Sequence, residues 1–329
     1  MRTLPTCRTV HALLLTAVFL GVPAAMAEPP TFASFVTDDP PPRTVVYRRV
    51  GERELKLFLF PPPATAGAGP FPVVVAIHGG GWKMGTPDLV YAHCRYFAAR
   101  GAFAVSVNYR LADGEQVQIG DCVADVRAAV RWLLAHAAEE RLDPRRVVLT
   151  GDSAGGHLAA AAALLPDPEA DAPGATTKPL RPAALVLFNP VVDIAALPWR
   201  RYAPGLSRLP TGDLPADSPA RVLSPCEFVR SGLPPTLIVH GVLDPVVPIP
   251  QVRRFAAAMK EARNDCELLE LAKTTHAFVL PGYAPVPTTQ NAVLAMDRFL
   301  VRLEVLPGPP LLAELPPAPD VPAAAGDPR

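Results

Sequence analysis

An excess of charge of either sign is missing from this chain: 31 lysines and arginines balance 31 aspartates and glutamates over 329 residues. Without a basic footprint, nucleic acid is not an expected partner. Histidine and cysteine are sparse, at 7 and 5 residues. They show no paired short spacing of the zinc type, so no metal is expected. No P-loop and no dinucleotide fingerprint follows the first strand–helix pattern, which leaves no nucleotide cofactor to look for. The apolar run at residues 12–22 falls short of the roughly 20 residues that a membrane span needs. No internal repeat is apparent.

What is present near the N-terminus reads as a secretory signal peptide over residues 1–27. Arg2 and Arg8 supply positive charge, residues 12–22 an apolar core, and Ala25-Met26-Ala27 a small-residue cleavage pattern. The expected location is therefore secreted or periplasmic, with no membrane span once the signal is removed. Cys7 leaves with the signal. Cys94, Cys122, Cys226 and Cys266 remain, and four cysteines allow three pairings. Cys226 and Cys266, each shortly before one of two neighbouring predicted strands, are the favoured pair; the alternative is that all four are small buried hydrophobes. Proline is abundant, at 42 residues, and clusters in loops and tails. Residues 306–329, Pro/Ala-rich with little periodicity, are expected to be disordered.

Between these ends, apolar runs alternate with helical patterns. Strands are expected at residues 45–50, 55–60, 73–77, 102–108, 147–150, 183–188, 236–240 and 266–271. Several are continuous apolar runs, as for strands buried on both faces. Helices are expected at 89–100, 117–138, 154–165, 250–263 and 288–303. The alternation predicts an α/β chain with a mostly parallel, doubly wound sheet and an antiparallel hairpin, turning at Gly51, at one edge. Residues 28–43 and 191–233 fit no core element. They are the candidates for a small cap or rim over a site at the strand C-termini.

Four motifs stand at predicted strand ends. His78-Gly79-Gly80-Gly81-Trp82 follows the run at 73–77, and its glycines free backbone N–H groups to face a developing oxyanion. Gly151-Asp152-Ser153-Ala154-Gly155-Gly156 joins a strand to an Ala-rich helix, which sets a serine on a tight, glycine-flanked turn. Asp244 follows the run at 237–239, and His276 follows the last strand. The order is nucleophile, acid, histidine.

On these residues the chain resembles the serine esterases of the α/β-hydrolase fold that carry an HGGGW oxyanion motif and a GDSAGG elbow. These are carboxylesterases near the hormone-sensitive-lipase group and the acetyl-xylan and feruloyl esterases. The resemblance covers roughly residues 44–305. It implies an α/β-hydrolase fold with an eight-stranded, mostly parallel sheet, helices on both faces and a small cap, with residues 28–305 as the catalytic domain. It also implies roles. Ser153 is the nucleophile and His276 the general base, with His157 the alternative one helical turn beyond the serine. Asp244 is the orienting acid, because Asp244-Pro245-Val246-Val247-Pro248 matches the family's acid loop; Asp193 and Asp152 are its rivals. The oxyanion hole falls to the amides of Gly79, Gly80 and Ala154. Trp82 either lines the pocket or sits in the core. His78 and His240 have structural roles.

The expected activity is hydrolysis of small or short-chain carboxylic esters through an acyl-enzyme, with a small-molecule or polysaccharide-linked ester as substrate. It should weaken as pH falls through the histidine range, roughly 6 to 7. The same machinery could instead open a lactone or an aryl-formamide. A non-catalytic binding protein of this fold would show a missing triad member or a blocked hole.

Overall fold

The computed structural model describes residues 29–198, 203, 205–206 and 214–317. The signal-peptide segment therefore lies outside the described residues, as do much of 199–213 and all of 318–329. Eight strands form one sheet in the order β1-β2-β4-β3-β5-β6-β7-β8. They are β1 (Arg43–Val50), β2 (Arg53–Phe60), β3 (Phe71–Ile77), β4 (Phe103–Val107), β5 (Leu142–Asp152), β6 (Ala184–Phe188), β7 (Thr236–Gly241) and β8 (Cys266–Leu271). β1 and β2 form the antiparallel edge hairpin, β2 runs antiparallel to β4, and every other pairing is parallel. This is the mostly parallel sheet with an antiparallel edge hairpin that the run pattern predicted, and the α/β-hydrolase architecture that the resemblance implied.

The helices are α1 (Tyr91–Ala99), α2 (Ile119–Ala135), α3 (Ala154–Leu164), α4 (Pro168–Asp171), α5 (Pro219–Val222), α6 (Ile249–Glu261) and α7 (Val286–Arg302). Each central strand feeds both faces of the sheet, which is why its sequence is a continuous apolar run. In β3, Val73, Val75 and Ile77 join the core under α2, α3 and α6, while Val74 and Ala76 join the core under α1 and α7. Parallel strands need crossovers, and the helices supply them on alternate faces. All strand C-termini except that of β2 thus point to one end of the sheet, where the four motifs emerge.

Three expectations are corrected. No disulfide forms among the described residues: Cys94, Cys122, Cys226 and Cys266 are all free. Cys226 bonds to the Val192 carbonyl, beyond the C-terminal end of β6, whereas Cys266 opens β8 beside Thr236 at the start of β7. The two lie at opposite ends of the sheet. A strand of six residues spans about 20 Å, and a disulfide tolerates no more than about 7 Å between Cα atoms.

The second correction concerns residues 306–317, expected to be disordered. Leu306 and Leu312 are buried, and the segment is tied to α7. The Gln290 Nε2 donates to the Ala313 carbonyl, and Asn291 exchanges two bonds with Leu315. Arg100 donates to the carbonyls of Pro307 and Gly308.

The third concerns residues 28–43. A short 3-10 helix, Phe32–Phe35, packs on α1 and α7: the Phe32 amide bonds the side chain of Gln290, and its ring meets those of His93 and Tyr96. Phe32 shares a hydrophobic cluster with Phe278, Val279 and Leu280 of the loop that follows His276, and residues 36–40 lie beside the same loop. There they border a cleft of about 370 Å³ with residues 88–95 and 280–283.

Candidate active site

The turn after β5 is built on two close approaches that only glycine permits. A Cβ on Gly151 would meet the backbone of Gly155 and the Ile77 carbonyl; one on Gly155 would drive into the Ile77 and His78 carbonyls. With no side chain at either position, α3 starts directly against the end of β3. Ser153, between them, has φ 53 and ψ −120, a region that L-residues adopt only under constraint and at a cost of about 1–3 kcal/mol. Its amide donates to the Phe188 carbonyl at 2.9 Å, which pins the elbow to β6.

The hydroxyl so displayed meets the predicted partners. Ser153 Oγ lies 2.8 Å from His276 Nε2, and His276 Nδ1 lies 2.7 Å from Asp244 Oδ2. The other carboxylate oxygen of Asp244 accepts the amides of Val246 and Val247 at 2.8 and 2.9 Å. Burial alone would raise the Asp244 pKa. The hydrogen bond and charge of His276 and those two amides outweigh it and hold the carboxyl below the usual range. A permanent carboxylate facing Nδ1 fixes the imidazole with its proton on that nitrogen and its lone pair toward the serine. The two loops are also tied to each other. The Leu243 amide donates to the Thr274 carbonyl, and a Cβ on Gly241 would strike the backbone of Thr274 and Thr275.

The rivals are engaged elsewhere. His157 accepts the Trp82 indole N–H at Nδ1, 3.0 Å away, and faces the Leu223 carbonyl with Nε2 at 2.7 Å. Burial lowers its pKa to about 4, so it is a neutral brace beneath the elbow. Asp193 accepts the Ala196 amide and pairs with Arg254 at 3.5 Å. His240 bonds the Val247 carbonyl at 2.9 Å and thereby supports the acid loop. Trp82, a candidate for the pocket wall, is fully buried, its ring edge-on to His157; it is a core aromatic.

One oxyanion assignment changes. β3 and β5 pair in parallel with Ile77 opposite Gly151, so the glycine loop leaves β3 level with the elbow. The Gly79 amide, however, is already spent on Asp152 Oδ1 at 3.0 Å. The Gly79 carbonyl accepts from His78 Nδ1 at 2.8 Å, and the His78 ring stacks on Tyr109, whose hydroxyl donates to the His78 carbonyl. Past this clamp come Gly80 and Gly81, whose amides have no acceptor among the described residues. Ala154, first residue of α3, offers the third amide, unpaired within the helix as every first-turn N–H is. Gly81 was missed from the sequence because the three glycines are equivalent there; only the buried carboxylate across the loop tells them apart.

A triad closed across three strand ends of an open parallel sheet, with its serine on a strained strand–helix turn, defines the serine hydrolases of the α/β-hydrolase fold. Within that class the chain belongs to the BD-FAE family, whose profile matches residues 59–259. It is 31% identical over 242 residues to the probable carboxylic ester hydrolase LipM of Mycobacterium tuberculosis, and 33% identical over 251 residues to the carboxylesterase NlhH of the same organism. These alignments cover 71% and 70% of this chain. The chain spans 55% of the length of LipM and 74% of NlhH. Among solved structures, the apo form of Thermogutta terrifontis esterase 2 superposes with a TM-score of 0.70 at 35% identity, covering 82% of this chain and 97% of that one. That esterase has also been seen phosphorylated by paraoxon, at a TM-score of 0.68 and 36% identity, covering 80% of this chain and 95% of that one.

Proposed function

We propose that the chain is an exported serine carboxylesterase that hydrolyses small or short-chain carboxylic esters through an acyl-enzyme. The observation that carries this reading is the unbroken hydrogen-bonded line Ser153–His276–Asp244, with its carboxylate out of solvent. A serine hydroxyl is a weak nucleophile until a base removes its proton as it attacks. His276 Nε2 is within reach to do so, and Asp244 stabilises the resulting imidazolium. The ester oxygen then carries charge toward the amides of Gly80, Gly81 and Ala154, assisted by the N-terminus of α3. His276 returns its proton to the leaving alcohol, and water repeats the sequence on the acyl-serine.

Ester chemistry is supported by the esterases this chain resembles. Short acyl groups are supported by the propionate- and butyrate-bound forms of Thermogutta terrifontis esterase 2. Export rests on the N-terminal pattern of residues 1–27. A binding-only protein would have a broken triad, and this triad is complete.

The test compares wild type with Ser153→Ala on p-nitrophenyl acetate. Turnover should fall by three orders of magnitude or more, and paraoxon should inactivate the wild type alone. Equal rates in both proteins would overturn the reading.

A further inference from the structure

Six aspartates are buried among the described residues: Asp125, Asp143, Asp152, Asp167, Asp244 and Asp297. Five have a cation or the catalytic imidazole against them. Asp125 has Arg48 and Arg110, Asp143 has Arg145 and Arg146, Asp167 has Arg127 and Arg131, Asp297 has Arg100, and Asp244 has His276. Asp152 has no basic partner at ion-pair distance among the described residues. Burial pushes its carboxyl up to about 6, even though the Gly79 amide and the His276 charge pull the other way. A buried carboxylate without a counter-ion is expensive to keep, so what it bonds to matters.

It bonds to the backbone just ahead of the oxyanion donors. Asp152 Oδ1 accepts the Gly79 amide at 3.0 Å, and a Cβ on Gly79 would lie 2.5 Å from Oδ2. The carboxylate therefore packs flat against the bare Cα of Gly79. This holds the peptide plane on the N-terminal side of Gly79; His78 Nδ1 holds the plane on the other side through the Gly79 carbonyl. A trans peptide is planar, with C=O and N–H pointing opposite ways. Once the Gly79 carbonyl faces His78, the Gly80 N–H must face away from it. Both torsions of Gly79, the residue with the most freedom to lose, are set by these two bonds. Asp152 also adjoins Ser153 in the chain, so one residue links the position of the nucleophile to that of the donors.

We propose that Asp152 is a positioning residue of the oxyanion hole, presetting the Gly80 amide through its bond to Gly79. The proposal rests on the serine-esterase reading above. It calls for an acceptor oxygen at that place rather than a negative charge. Asp152→Asn should therefore keep turnover within about fivefold of wild type, since its amide oxygen can take the Gly79 N–H. Asp152→Ala should lower kcat by 10- to 100-fold, the scale of losing much of one oxyanion donor, with KM changed less than threefold.

Rates should be taken per active site, titrated with paraoxon, so that loss of folded protein does not count as loss of chemistry. A trifluoromethyl ketone, whose serine adduct carries an oxyanion, supplies the second readout. Its affinity for Asp152→Ala should fall by the same factor as kcat/KM. Asp152→Ser, too short to reach Gly79 yet still polar, replaces the alanine variant if that one does not fold. Unchanged kcat per titrated site in Asp152→Ala or Asp152→Ser would overturn the proposal. So would equal losses in Asp152→Asn and Asp152→Ala. A wild type without esterase activity would instead overturn the functional reading on which it rests.

Discussion

Asp152 and Asp244 both stand close to the reacting hydroxyl, and their surroundings move them in opposite directions. The Asp244 carboxyl, bonded to His276 and two amides, is held below its unfolded value. It contributes stability that is present above about pH 4 and is lost as pH falls toward the folded pKa. The Asp152 carboxyl, raised by burial to about 6, behaves the other way. The folded protein holds that proton more tightly than the unfolded chain, so stability falls as pH rises from about 4 to 6 and then levels. With each pK unit equal to about 1.4 kcal/mol, the penalty at neutral pH is at most about 3 kcal/mol. Asp152→Asn carries no such charge. Its stability relative to wild type should rise between pH 4 and 6 and stay level above that, as followed by urea unfolding at a series of pH values. A difference that is flat across this range would mean that the Asp152 carboxyl ionises normally. A variant more stable than wild type at pH 7 would also show what the native residue sacrifices for position.

At the scale of the element, the sequence was legible wherever one physical requirement dominates. The strands β3, β5, β6 and β7 must be apolar on both faces, and the runs show it. The elbow needs small residues on either side of Ser153, and Gly151 and Gly155 show it. The alternation of runs and helical periods therefore led to the sheet, and the motif order led to Ser153, Asp244 and His276. What failed to show depends on register or on a partner far along the chain. Cys226 and Cys266 look adjacent until strand pairing places them at opposite ends of the sheet. Gly79 looks like a donor until Asp152 is seen to occupy its amide. Residues 306–317 have no helical or strand period, because what orders them is a set of side chains on α7 and just past the end of α1: Gln290, Asn291 and Arg100. The strap leads to a comparison of two truncations. The chain ending after Pro317, the last described residue, is the reference. Ending it after Val305 uncovers Leu306's and Leu312's sites and takes the partners from Gln290 Nε2 and from the Asn291 side chain. Two buried leucines at about 2 kcal/mol each and several hydrogen bonds at about 1 kcal/mol each should bring a drop of roughly 10 °C or more. Differential scanning calorimetry of the two proteins decides it, and equal melting temperatures would mean that residues 306–317 add nothing to the stability of the fold.

Across the whole molecule, the edge hairpin lies four strands from the end of the sheet that carries Asp244 and His276, and one buried carboxylate ties it to the same body beside the β2–β4 ladder. Asp125 of α2 is fully buried and receives Arg48 from β1 at 3.0 Å. It also takes Arg110, from the loop after β4, through Nε at 2.7 Å, Nη2 at 3.0 Å and the backbone amide at 3.0 Å. The carboxylate thus joins the hairpin, the central sheet and a helix of the α2–α3 layer. Removing the shared carboxylate leaves Arg48 without its counter-charge and Arg110 with Asp121 alone, and breaking such a buried pair costs about 3–5 kcal/mol. Asp125→Ala should accordingly melt about 6–20 °C lower than wild type, at roughly 2–4 °C per kcal/mol for a domain of this size. The reaction should not share the loss. The triad and the amides of Gly80, Gly81 and Ala154 are built from the ends of β3, β5, β7 and β8, whereas the hydrogen bonds of Asp125 go to Arg48 and Arg110. Turnover per paraoxon-titrated site, measured well below the variant's melting point, should therefore stay within about twofold of wild type. A large fall in per-site turnover would show that the hairpin and α2 reach the site through packing that the hydrogen-bond pattern does not reveal. A melting temperature unchanged by Asp125→Ala would show that the two arginines are satisfied without Asp125, and that the hairpin is held by its apolar face and the β2–β4 ladder.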